Sequence, residues 1–134
     1  MEALKLNQVN QRIEASEAML EDSTFTMVCL NRLQLNDVSA VDIRITNANL
    51  TNLEIEGAQL GGAFLHNIGM PPKGHPHYDE NAKQQPLHFE SCDLNGTTIN
   101  NCDLSNVSIN NCNTIGMYIN GILVYDLLKA YQRI

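Results

Sequence analysis

Every fifth residue of this chain is apolar over long stretches. From Ala15 the column runs Leu20, Phe25, Leu30, Leu35, Ala40, Ile45, Leu50, Ile55, Leu60, Leu65 and Met70 without a break. The residues two positions earlier, from Ile13 to Ile68, are apolar everywhere except Ser23. The other three columns are mostly Asn, Asp, Glu, Thr, Ser, Gly and Arg. A second run goes from Phe89 through Leu94, Ile99, Leu104, Ile109, Thr114 and Ile119 to Val124, beside a smaller column of Leu87, Cys92, Thr97, Cys102, Val107, Cys112, Met117 and Ile122. Met70 and Phe89 lie 19 residues apart, so the runs are one residue out of phase and an insertion separates them. That insertion, residues 71–86, holds all four prolines, Gly74 and balanced charges, and reads as a surface loop.

A period of five suits neither an α-helix nor a strand. It suits a chain that turns a corner every five residues, with two apolar side chains pointing inward from each short extended side. Four sides make a coil of twenty residues, and successive coils stack at about 4.8 Å, the inter-strand spacing. The expected fold is therefore an all-β solenoid in a single domain. Residues 1–12 would form an N-terminal cap, 13–70 and 87–124 the repeats, and 125–134 a C-terminal capping helix with Leu127, Leu128, Tyr131 and Ile134 on one face. Such a helix covers the last coil, and Leu128, Tyr131 and Ile134 also make a candidate homodimer contact. On this reading Leu50→Asp abolishes folding, because it buries an unpaired charge in the column.

The pattern resembles the pentapeptide-repeat family, whose motif is roughly A-[D/N]-L-x-x. Close matches are Ala48-Asn49-Leu50-Thr51-Asn52, Cys92-Asp93-Leu94-Asn95-Gly96 and Cys102-Asp103-Leu104-Ser105-Asn106, with Ala58-Gln59-Leu60 and Ala63-Phe64-Leu65 also fitting. The resemblance implies a right-handed quadrilateral β-helix of about four to five coils and a chiefly bacterial origin. It also offers a function, since some members are acidic rods that mimic DNA and bind type II topoisomerases such as gyrase. Leu33, Ile43 and Leu53 depart from the family pattern, being large where it favours Ala or Cys.

Composition narrows the field. The 134 residues carry 15 acids against 8 bases, a formal net charge of −7, with 43% hydrophobic residues, 5% aromatic and no Trp. Such a chain is too apolar for a disordered acidic tail and too acidic to bind nucleic acid by neutralising phosphates. No apolar run reaches the roughly 18 residues of a membrane span, and none near the N-terminus suits a secretory signal. A cytoplasmic protein with Cys29, Cys92, Cys102 and Cys112 as thiols is expected.

The acids concentrate in residues 13–67, which hold eight of them against Arg32 and Arg44. Sorting pentads by fours places Glu14, Glu17, Asp37, Glu54 and Glu56 on one side, a candidate partner-binding acidic face. A solvated, solubilising face explains the same residues. Within the loop, His75, His77, Asp79 and Glu80 are candidate ligands for a divalent metal, although a single loop seldom closes a site. The inward cysteines read as small apolar fillers. No nucleophile–base–orienter set is visible and no cofactor is implied. The expected function is a non-enzymatic scaffold or protein-interaction module. The topoisomerase-binding DNA mimic and a metal-binding loop at 74–80 are the alternatives.

Overall fold

The computed structural model describes residues 2–132. The chain divides into two compact units, Met1–Gly61 and Gly62–Ile134.

In the first unit the five-residue beat is written into the backbone. A left-handed residue recurs at every fifth position from Glu17 through Asp22, Met27, Arg32, Asp37, Asp42, Asn47 and Asn52 to Gly57. Each stands two residues after a member of the column that starts at Ala15. Alternate corners differ. Those at 21–22, 31–32, 41–42 and 51–52 are turns, whereas those at 17, 27, 37, 47 and 57 are open bends. At two of the turns the ring closes by a backbone bond: Leu33 N–H donates to Leu30 C=O and Leu53 N–H to Leu50 C=O, both 3.0 Å. A left-handed third residue in such a turn is the type II arrangement. Asn and Asp tolerate it through local side-chain bonds, while Met27 and Arg32 adopt it at a steric cost.

The second unit continues the beat. Gly62 and Asn67 come first; then, beyond the loop, Ser91, Gly96, Asn101, Asn106, Asn111, Gly116 and Gly121 are left-handed. The turns here are closed by Thr97 N–H to Leu94 C=O (3.0 Å), Val107 N–H to Leu104 C=O (3.2 Å) and Met117 N–H to Thr114 C=O (3.0 Å). Closed corners thus recur every ten residues. Between the two runs, residues 71–86 form successive tight turns, with His75 N–H donating to Pro72 C=O at 3.0 Å and Tyr78 N–H to His75 C=O at 2.9 Å.

Regular structure is confined to the end of this unit. Strands β1 (Tyr118–Ile119) and β2 (Ile122–Leu123) pair antiparallel across Asn120-Gly121, with Tyr118 opposite Leu123 and Ile119 opposite Ile122. Both turn residues are left-handed, as a two-residue hairpin turn of this hand requires. Helix α1 (Val124–Tyr131) follows at once. Asp126 in its first turn and Lys129 in its last suit the helix dipole. Val124 N–H donates to Met117 C=O at 2.9 Å, which satisfies one of the amides that a helix start leaves open. Val124 is 8% exposed and is the one buried hydrophobic residue among those described.

These observations overturn the expected solenoid. Among the described residues there are two short strands and one helix, and no stacked coils. The inward columns are open to solvent: Leu50 is 47% exposed, Leu60 55% and Leu104 52%. The right-handed β-helix of four to five coils is therefore not the fold, and the helix at 124–131 closes a hairpin rather than capping a coil. The physical reason lies in where the backbone bonds go. Each closed corner satisfies itself within four residues, and no backbone bond among the described residues joins positions twenty apart. A corner repeated every five residues gives local regularity, but stacking also requires long-range pairing, which carries its own loop-closure entropy. The chain exposes 15,070 Å², where a compact protein of this mass exposes roughly 7,000 Å².

Candidate interaction surface

The exposed columns make this molecule's largest chemical feature. In the first unit they include Leu20, Phe25, Leu35, Ile45, Leu50, Ile55 and Leu60, all of them solvent-exposed. Polar corners separate these apolar positions. Thr51 illustrates how a corner is finished: its N–H and its hydroxyl both donate to Asn49 Oδ1, at 3.1 and 2.6 Å. The same local bond recurs every ten residues in the second run. There Asn95 N–H donates to Asp93 Oδ1, Ser105 N–H to Asp103 Oδ1 and Ile115 N–H to Asn113 Oδ1, at 2.9–3.1 Å. The Ser105 hydroxyl adds a second bond to Asp103 at 2.6 Å. Together the two bonds hold the Asp103 carboxyl below the ordinary aspartate range.

Within the first unit, residues 32–36 and Asn52, Leu53, Glu54 and Glu56 border an open hollow of about 720 Å³. Leu33, Leu35 and Leu53 supply its apolar lining, and Arg32, Glu54 and Glu56 its charges. Of the five acids expected on one face, Glu54 and Glu56 border the hollow, and Arg32 borders it too. Glu14 instead pairs with Arg12 in an exposed ion pair. Glu17 and Asp37 are left-handed corner residues. All five of these acids are exposed.

The loop candidates do not converge. His75 and His77 rings lie 5.6 Å apart, but His75 Nδ1 accepts from the His77 backbone N–H at 3.1 Å. Asp79 Oδ1 accepts from Asn81 N–H at 2.9 Å. Among the described residues no three His, Cys, Asp or Glu side chains gather in a way that could hold a metal ion, Glu80 included. The cysteines are free thiols and exposed, not inward fillers. Cys92, Cys102 and Cys112 each donate Sγ–H to the carbonyl two residues earlier, in Glu90, Asn100 and Asn110, at 3.2–3.3 Å. At the C-terminus Leu128 and Tyr131 are 56% and 76% exposed, and Ile134, the third candidate dimer contact, lies outside the described residues. No described helix is long and apolar enough to cross a membrane.

Two features escaped the pattern-based reading. One is the hairpin at 118–123, whose signal was the Asn120-Gly121 pair between apolar couples. The other is the hollow itself, bordered by Arg32 as well as Glu54 and Glu56, for which no motif in the sequence stands as a signal. No family model, curated protein or solved structure matches the chain.

Proposed function

We propose that this protein is a non-enzymatic interaction module whose exposed apolar columns are the surface that a protein partner covers. The observation that supports this is the uncovered state of those columns: Leu35, Leu50, Leu60, Leu94 and Leu104 are all exposed by about half. So many uncovered large apolar side chains favour an interaction site. A segment that orders as it binds can wrap a large partner surface. The acid-rich corners of residues 13–67 favour a partner with a basic rim around an apolar centre. The thiol state of all four cysteines agrees with a reducing compartment such as the cytoplasm.

The test is to place photo-crosslinking side chains at Leu50 and Leu104, and in parallel at the corners Asn52 and Asn106, in the source cell. The reading expects one recurring partner from the column positions and little from the corners. A purified monomer that binds no hydrophobic dye and shows slow amide exchange at Leu50, Leu60 and Leu104 would overturn it, because the columns would already be covered. The DNA-mimic alternative is supported by the acidic balance of residues 13–67. Unchanged gyrase supercoiling in a large excess of the protein would remove it.

A further inference from the structure

The chain holds seventeen asparagines, and only Asn95 and Asn120 precede a glycine. We propose that Asn95 is a site of spontaneous deamidation and isomerisation, and that it reacts ahead of Asn120 and of the other fifteen. The reaction is intramolecular. The Gly96 amide nitrogen attacks Asn95 Cγ; the new C–N bond forms as the Cγ–NH2 bond breaks. The side-chain nitrogen leaves as ammonia, taking the proton from the Gly96 amide. Water then opens the five-membered imide at one carbonyl to give aspartate or at the other to give isoaspartate. No oxidant or reductant is involved.

Two observations open both Asn-Gly sites to this reaction, and the fastening of the turn ranks Asn95 first. Gly96 has no side chain to shield the attacking nitrogen, and a Cβ built there would meet nothing within 4 Å, so the approach is open. Gly96 stands at φ +75°, and glycine crosses between backbone regions with little penalty, which the ring closure requires. The turn itself is fastened by a single backbone bond, Thr97 N–H to Leu94 C=O at 3.0 Å, and both Asn95 and Gly96 are exposed. Asn120-Gly121 has the same chemistry but sits between the paired residues Ile119 and Ile122, directly before a helix. That pairing resists the backbone rotation. Elsewhere, the residue after each asparagine carries a side chain that crowds the nucleophile, as Val107 does after Asn106.

The product has two consequences. Either outcome adds a negative charge to a corner where Asp93 already bonds the Asn95 amide. Isoaspartate also inserts an extra backbone carbon, which lengthens the backbone path between Leu94 and Ile99.

The experiment incubates the full chain in mildly alkaline buffer at body temperature and maps peptides by mass over several days. The expected result is a gain of about 1 Da at Asn95 first, then at Asn120, with isoaspartate confirmed by enzymatic methyl labelling of the same peptide. In denaturant the two sites should converge, because the hairpin no longer protects Asn120. Gly96→Ala should bring Asn95 down to the rate of the other asparagines. The folded-against-denatured comparison decides the matter if that variant is strained. Asn120 reacting first in the folded chain, or Asn95 reacting no faster than the asparagines without a following glycine, would overturn the proposal.

Discussion

Leu50 and Val124 hold the same place in the five-residue pattern, each a central aliphatic of its run, yet Leu50 is 47% exposed and Val124 8%. Around Leu50 the chain does only local work: a four-residue turn to Leu53 and a side-chain bond within Asn49–Thr51. Around Val124 a hairpin reverses the chain, and a helix starts with its first amide bonded back to Met117. Repeated turning, however regular, does not enclose a side chain. Enclosure begins where the chain pairs with a segment it has already left.

Val124→Asp should abolish the hairpin and helix, at a cost on the order of 3 kcal/mol, since it puts an unpaired charge where an apolar group was buried. The loss would be read from the helical circular dichroism. Leu50→Asp, made in parallel, should shift stability by no more than about 0.5 kcal/mol, as exposed sites do. A loss at Leu50 as large as at Val124 would break the contrast and show the first column to be covered in solution.

Next in size is the hairpin turn. Gly121 stands at φ +77°, where a β-branched residue is strained. Gly121→Val should cost about 1–3 kcal/mol and loosen the Ile119–Ile122 pair, visible as faster amide exchange in that pair. A smaller effect, near 0.5 kcal/mol or below, is expected for Asn49→Ala, which removes two exposed bonds to Thr51. Its measure is the chemical shift of the Thr51 amide, which should move while those of the hairpin residues stay in place.

The smallest expected effect is electrostatic. The Ser105 hydroxyl and amide hold the Asp103 carboxyl below the ordinary aspartate range. Ser105→Ala should raise its titration midpoint in an NMR pH series. A carboxyl lowered in the folded state contributes stability above its ordinary range and loses that contribution as pH falls through the lowered value. The local turn should therefore loosen only in acid, and Ser105→Ala should shift that loosening to higher pH. An unchanged midpoint would show that the hydroxyl does not hold the carboxylate in solution.

The five-residue spacing was legible because it fixes where the backbone turns. Left-handed residues fall two positions after column members such as Leu20, Leu50, Leu94 and Leu104. What the spacing could not convey is whether one turn of the chain closes on the next, since that depends on bonds between distant segments and not on the order of residues around a corner. The same beat hid the hairpin. Ile119 and Ile122 fit the columns so well that Asn120-Gly121, a strong local hairpin signal, passed as one more corner. Of the five acids grouped on one side, Glu54 and Glu56 border one hollow with residues 32–36.

The alternation of latched and unlatched corners sets a grammar for how this gene product can change length. Leu94–Thr97, Leu104–Val107 and Thr114–Met117 are latched, with open bends at 101 and 111 between them. Loss or duplication of five residues joins two corners of the same kind and puts the thiol-bearing positions Cys92, Cys102 and Cys112 out of step. Loss or duplication of ten returns every latch, every Asx bond and every cysteine to an equivalent place. The structural repeat of the run that carries Cys92, Cys102 and Cys112 is therefore the decapeptide.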